Sequence, residues 1–219
     1  MTIAISGMTS SGKSSLVDNL AQHFPNSLKL NEFDPNDEMF NTMLKWHLDH
    51  KPHATLTFET YIMASHVRNF QKVQEEFYAQ KMDPKQDFIF LDRFCVEHLI
   101  FGEVAFSKID PEALGVYLAA SNQLINKNVL PDFAIFLDLS FENFKKRLFT
   151  RNRKSEIDSW SSNEEYWKKL HSLYRPTFER LCKENNIKYY ILDTNNLDIQ
   201  QVLDNTITII QQHKNIQNN

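Results

Sequence analysis

The chain has 219 residues, 42% apolar and 24% charged, a length and composition that suit one substantial core and exclude a disordered or membrane-embedded chain. Its formal net charge of −4 argues against a nucleic-acid polymer as main partner, because binding one takes a basic surface. A small nucleotide needs only a local basic pocket, so that charge leaves nucleotide chemistry open.

From the N-terminus, residues 1–7 lack the basic stretch and long apolar region of a secretory leader. No apolar run approaches the roughly 20 residues of a membrane span, so no membrane partner is expected. Cys95 and Cys182 lie far apart without metal-ligand spacing and read as reduced packing residues of a cytoplasmic protein. Five short apolar runs, 2–6, 27–30, 88–92, 133–139 and 188–193, read as buried strands separated by helical patterns. The alternation predicts an α/β fold on a parallel sheet with right-handed crossovers, in one domain over residues 1–219.

After the first strand comes Gly7-Met8-Thr9-Ser10-Ser11-Gly12-Lys13-Ser14, a complete G-x-x-x-x-G-K-[ST] phosphate loop, followed by Ser15. It opens a helix with Leu16, Val17 and Leu20 on one face. In such a loop, backbone N–H groups point at phosphates, which bulky side chains would block. Lys13 places a charge on the β- and γ-phosphates of ATP, and the Ser14 hydroxyl ligates Mg²⁺. Glu32 follows the second strand, where a carboxylate faces the γ-phosphate and can accept the proton of an attacking hydroxyl. Asp34 and Asp37 are its rivals, and one of these acids can instead cap the helix after Pro35.

The longest helical pattern, 55–81, carries Phe58, Ile62, Val67, Phe70, Val73 and Phe77. Asp92-Arg93 ends the third strand at the carboxyl edge, where open α/β sheets bind ligands. Asp92 is placed to hold Mg²⁺, and Arg93 to bind the transferring phosphoryl group or orient a carboxylate. Asp110-Pro111-Glu112 signals a helix start, and Ser140 caps the helix holding Phe144, Arg147 and Leu148. Arg147, Arg151 and Arg153 form R-x₃-R-x-R with Glu156 close behind. They suit a lid over about 151–162 that neutralises transition-state charge and excludes water. Ser162-Asn163-Glu164-Glu165 reads as a capping box for the next helix. The Asn/Gln-rich tail, about 212–219, is expected to fray.

In these residues the chain resembles the deoxynucleoside kinase family of P-loop kinases. Four stretches carry the likeness: the P-loop; Thr57-Phe58-Glu59-Thr60-Tyr61; Leu91-Asp92-Arg93 through Ile100-Phe101; and the arginine segment through Glu156 with Tyr166, Leu170-His171 and Tyr174. The resemblance implies a three-layer α/β/α fold on a five-stranded parallel sheet, a homodimer, and phosphorylation of a deoxynucleoside 5′-hydroxyl. It places the base at Glu32, Mg²⁺ near Ser14 and Asp92, and Arg93 near base and phosphoryl group. It makes Glu156 a sugar contact and sets Arg151 on the adenine or phosphate of ATP.

The chain departs from the family at the nucleobase. Glu59 stands where a Gln commonly reads the base edge, Phe94 where Ser follows Asp-Arg, His98 where an Asp is common, and His66 where an Arg is frequent. A Gln amide offers a donor and an acceptor, matching adenine or cytosine; an ionised Glu offers acceptors only, matching N1–H and the 2-amino group of guanine. An ionised Glu59 therefore predicts a shift toward 6-oxopurine deoxynucleosides. Competing readings are a nicotinamide riboside or uridine kinase, which the loop and His23-Phe24-Pro25-Asn26 resemble, and a thymidylate-type kinase. A nucleotide-binding switch is the non-enzymatic alternative.

Overall fold

The computed structural model describes the whole chain except residues 33–35, 50, 52, 107–109, 153–156, 158–159 and 218–219. All five expected strands form: β1 Thr2–Gly7, β2 Ser27–Leu30, β3 Phe88–Asp92, β4 Phe133–Asp138 and β5 Lys188–Asp193. They lie in the order β2-β3-β1-β4-β5, every neighbouring pair parallel. Alternate residues of each central strand feed opposite faces, and both faces are apolar. Ile3, Ile5, Phe88, Phe90, Phe133, Ile135 and Leu137 pack one way with Leu16, Val17, Leu20 and Ile210. Ala4, Ile89, Leu91, Ala134 and Phe136 pack the other way with Met63, Val67, Phe70, Tyr174 and Phe178. Burial on both faces is why these strands read as continuous apolar runs.

The helices are α1 Lys13–His23, α2 Glu38–Leu48, α3 Ala54–Ala79, α4 His98–Phe106, α5 Pro111–Leu124, α6 Phe141–Arg151, α7 Trp160–Glu184 and α8 Ile199–Gln217. They cover both sheet faces, giving the three-layer α/β/α arrangement. Local signals set several starts. Asp37 accepts from Phe40 N at 3.0 Å, Asp110 from Ala113 N at 2.9 Å ahead of Pro111, and Ser140 from Asn143 N at 3.2 Å.

Two local expectations are corrected. Ser162 is not an N-cap, because α7 is already helical at Trp160. Trp160 is buried against Phe141, Phe144 and Phe149, so packing starts the helix ahead of the polar signal. The tail does not fray at 212, since α8 runs to Gln217. His213 holds it: the buried ring stacks on Phe133 with centroids 4.0 Å apart, and its Nδ1 lies 3.0 Å from the Tyr190 hydroxyl.

The register brings functional candidates to one edge. Ile5 pairs with Asp92 and Gly7 with Leu137, so the phosphate loop and Asp92-Arg93 leave adjacent strand ends together.

Candidate active site

β1 ends at Gly7, whose φ of 137° is open to glycine but rarely to other residues. A Cβ there would stand 2.7 Å from Leu137 O in the neighbouring strand, so the position admits no side chain. Gly12, at φ 100°, turns the chain into α1 and points its first N–H groups back at the loop. Inside the turn, Ser11 N donates to Met8 O at 3.1 Å and Lys13 Nζ donates to the same carbonyl at 3.0 Å. Burial and then the nearby Arg93 push the Lys13 ammonium down to about 8, so an arriving anion would relieve a strained cation. The Ser10 and Ser11 hydroxyls and Asp92 Oδ1 are buried without a hydrogen-bond partner among the described residues. A glycine cradle, a buried lysine and orphaned hydroxyls fit phosphate groups.

Asp92 Oδ2 accepts from Ser14 Oγ at 2.5 Å. Burial holds its carboxyl above the usual range, despite the pull of Lys13. Among the described residues no group of three or more His, Cys, Asp or Glu could hold a metal. The donor set instead suits Mg²⁺, which keeps several waters and takes one or two protein oxygens beside substrate phosphates.

Arg93 is the hub. It is 1% exposed and sits at φ +69°, left-handed backbone that costs on the order of 1–3 kcal/mol for a non-glycine residue. Four groups hold it there. Nε donates to Glu32 Oε1 at 2.6 Å, and Nη1 donates to Gly7 O at 2.9 Å and to Glu97 Oε1 at 2.8 Å. Nη1 also contacts the Tyr174 hydroxyl, which donates to Glu97 Oε1 at 2.6 Å. Glu97 Oε1 accepts from Gly7 N at 3.1 Å as well. One guanidinium and one carboxylate thus clamp both backbone groups of Gly7. Sequence reasoning gave Glu97 no role; the left-handed backbone at Arg93 and the extended Phe94 that fold Glu97 back onto it leave no local sequence pattern.

Glu32 lies just past β2. Burial would raise its carboxyl, but Arg93 and then Lys13 outweigh that and hold it below the ordinary value. Of its rivals, Asp37 caps α2 and accepts from the Tyr61 hydroxyl at 2.6 Å. Asp34 lies outside the described residues.

The arginines separate. Arg147 is tied down: Nη1 donates to Ser11 O at 3.0 Å and Nη2 to Thr194 O at 2.7 Å, a strut between phosphate loop and the end of β5. Arg151 ends α6, ahead of Asn152 at φ 55°. Arg153 and Glu156 lie outside the described residues, and the last three positions of the expected lid, 160–162, belong to α7.

Glu59 and His66 sit two turns apart on α3. Glu59 is 8% exposed. Burial, then the like charge of Glu32, pushes its carboxyl up to about 8. His66 and His98 are both buried, with His98 Nε2 3.1 Å from His66 Nδ1. Burial takes His66 down to about 4 and His98 well below its ordinary value, so both imidazoles are neutral. Phe94 packs on Phe178 in the core.

With this geometry in place, the chain can be set beside known proteins. The family profile for deoxynucleoside kinase matches residues 3–217. The uncharacterized protein MG268 of Mycoplasma genitalium is 28% identical over 193 residues, covering 87% of this chain and 82% of that protein. The solved structure of deoxyadenosine kinase from M. mycoides with bound dATP superposes with a TM-score of 0.75 at 20% identity, covering 96% of this chain and 99% of the other. The same enzyme with products dCMP and dCDP gives a TM-score of 0.73 at 21% identity, covering 97% and 100%. These likenesses show the fold, and the profile shows the family. The chain belongs to the deoxynucleoside kinase family, nucleoside phosphotransferases built on the P-loop fold.

Proposed function

We propose that this chain transfers the γ-phosphoryl group of ATP to the 5′-hydroxyl of a deoxynucleoside, with Glu32 receiving the hydroxyl proton. One observation carries the reading: Arg93 binds Glu32 through Nε and the Gly7 carbonyl through Nη1, so one guanidinium fixes the carboxylate relative to the phosphate loop. A hydroxyl accepted by Glu32 is thereby aimed at a γ-phosphate seated on the loop. Because Arg93 and Lys13 keep Glu32 a weak base, its main contribution is to orient the hydroxyl and accept the proton late. That suits a loose phosphoryl-transfer transition state, in which positioning and electrostatics dominate.

Around this pair, the loop N–H groups that Glu97 and Met8 O do not engage, with the first N–H groups of α1, hold the donor's phosphates, and Lys13 neutralises charge on the equatorial oxygens. Ser14 and Asp92 would hold Mg²⁺, which would supply positive charge to offset that of the phosphates. Arg147 keeps the loop in shape from behind, and Arg151, Arg153 and Glu156 complete the lid. Glu59 and His98 line the nucleobase end. The dATP and the dCMP and dCDP named with the M. mycoides deoxyadenosine kinase are consistent with a deoxynucleoside acceptor. A 6-oxopurine preference requires an ionised Glu59, a condition met only above about pH 8.

Purified protein with ATP and Mg²⁺ is to be offered the common deoxynucleosides, nicotinamide riboside, uridine and dTMP. A 5′-monophosphate from at least one deoxynucleoside, with kcat/KM well above the ribosides and dTMP, is the expected result. Preference for a riboside or for dTMP, or ATP turnover that no acceptor stimulates, overturns it.

A further inference from the structure

The base end of the site carries three buried polar side chains that the phosphoryl transfer does not use. Glu59 is 8% exposed, and His66 Nε2 is buried and unpartnered among the described residues. A buried carboxyl beside an unsatisfied buried imidazole points to an occupant that satisfies the imidazole and meets the carboxyl. The surroundings decide which form of Glu59 that occupant meets. Glu59 faces Glu32 beyond β2, the Tyr117 phenol on α5 and the Tyr166 phenol on α7. Among the described residues no cation is turned toward it. Lys13 and Arg93 face Glu32 instead, and His66, which faces Glu32, Arg93 and His98, stays neutral.

Building on the deoxynucleoside reading above, we propose that Glu59 reads the nucleobase as a carboxylic acid, donating through its O–H and accepting through its C=O. In that form it pairs with the adjacent ring-nitrogen acceptor and amino donor of adenine or cytosine, as an amide would. It can also meet N1–H and O6 of guanine. Once ionised it has acceptors only, so it repels the ring nitrogen of adenine and cytosine and keeps only bases that offer N1–H. The acid is the form held near neutral pH, since burial and Glu32 push the carboxyl up to about 8. The His66–His98 pair supports this without charge: as the shared proton sits on His98 Nε2 or His66 Nδ1, His66 Nε2 becomes donor or acceptor. Base choice is therefore set by a proton.

The test is the ratio of kcat/KM for deoxyadenosine, and for deoxycytidine, to that for deoxyguanosine between pH 6 and 9. Taking a ratio cancels the titration of Glu32, Lys13 and Asp92, which every substrate shares. The expected result is a ratio that falls at least about tenfold across pH 8, the order of one mispaired hydrogen-bonded base edge. Glu59→Gln, checked for folding by thermal melt, carries an amide with no proton to lose; its ratio stays flat over the same range and controls for titration of deoxyguanosine itself. A wild-type ratio constant across pH 8, or a slope that survives in Glu59→Gln, overturns the proposal while leaving the kinase reading intact. Failure to phosphorylate any deoxynucleoside at any pH overturns both.

Discussion

Around the phosphate loop, buried polarity is handled by pairing charges; in the proposed base-binding region it is handled by removing them. Lys13, Arg93, Glu32, Asp92 and Glu97 lie within one another's fields, and Arg93 alone donates hydrogen bonds of 2.6, 2.9 and 2.8 Å to Glu32, Gly7 O and Glu97. Burying so much charge is tolerable because each ion has an opposite partner or a hydrogen bond. Glu59, His66 and His98 occupy an equally buried region and escape the cost by staying neutral. A phosphate always brings negative charge, so its site needs fixed ions. A nucleobase is neutral and is told apart by donors and acceptors, so its reader works best uncharged.

The contrast breaks first at Glu32. Glu32→Gln is expected to lower kcat by about 10²–10⁴ with nucleoside binding retained, as general-base losses run. Single-turnover kinetics beside a nucleoside binding titration check this, and near-normal turnover would move the base elsewhere. Lys13→Met should follow with a loss of about 10²–10³ in kcat/KM, the scale of one lost charge-stabilising donor. Tighter ATP binding in that variant would contradict the relieved-cation account of Lys13.

A stability measurement probes the uncharged end. The folded chain holds the Glu59 proton to about 8 against 4.5 for an ordinary carboxyl, so between those values the folded state binds more protons and stability falls as pH rises. His66, shifted from 6.5 down to about 4, acts in the opposite sense, and its neutral form loses stability as pH falls through that window. Between pH 6.5 and 8 Glu59 therefore acts alone of the two. Relative to Glu59→Gln, the wild type should lose up to about 1.4 kcal/mol per pH unit there, read from urea unfolding at stepped pH. No difference between the two slopes would mean that Glu59 is ionised in the fold. The smallest effect is reserved for Tyr174→Phe, which removes a hydroxyl from the charged end but leaves Arg93 paired with Glu32 and Glu97. We expect a loss of about 1–2 kcal/mol in unfolding free energy and a change in kcat well below that of Glu32→Gln.

The same contrast explains what could be read from the sequence. The strands, the phosphate loop, Asp92-Arg93 and the caps at Asp110 and Ser140 were legible because each depends on a few adjacent residues with fixed geometry. The clamp on Gly7 was not, since Glu97 and Tyr174 reach it from distant segments and only the fold joins them. Glu59 is expected at the base edge from the family resemblance alone, and its charge state depends on desolvation and on Glu32, 27 positions earlier in the chain. Ser162 misled because a polar capping pattern lost to the packing of Trp160, and the bonds of Arg147 to Ser11 O and Thr194 O join distant segments that leave no local pattern.

The stacking of His213 on Phe133 reaches beyond the tail it was introduced to explain. Phe133 opens the strand that carries Leu137 to the back of Gly7, so the last turns of α8 act as a seal over the foot of the phosphate-loop scaffold. Trimming the chain at residue 211 would look harmless from its Asn/Gln-rich composition. It would instead uncover an aromatic side chain at the start of an interior strand, and a shortened protein would trade apparent neatness for a sticky, water-exposed opening in its core.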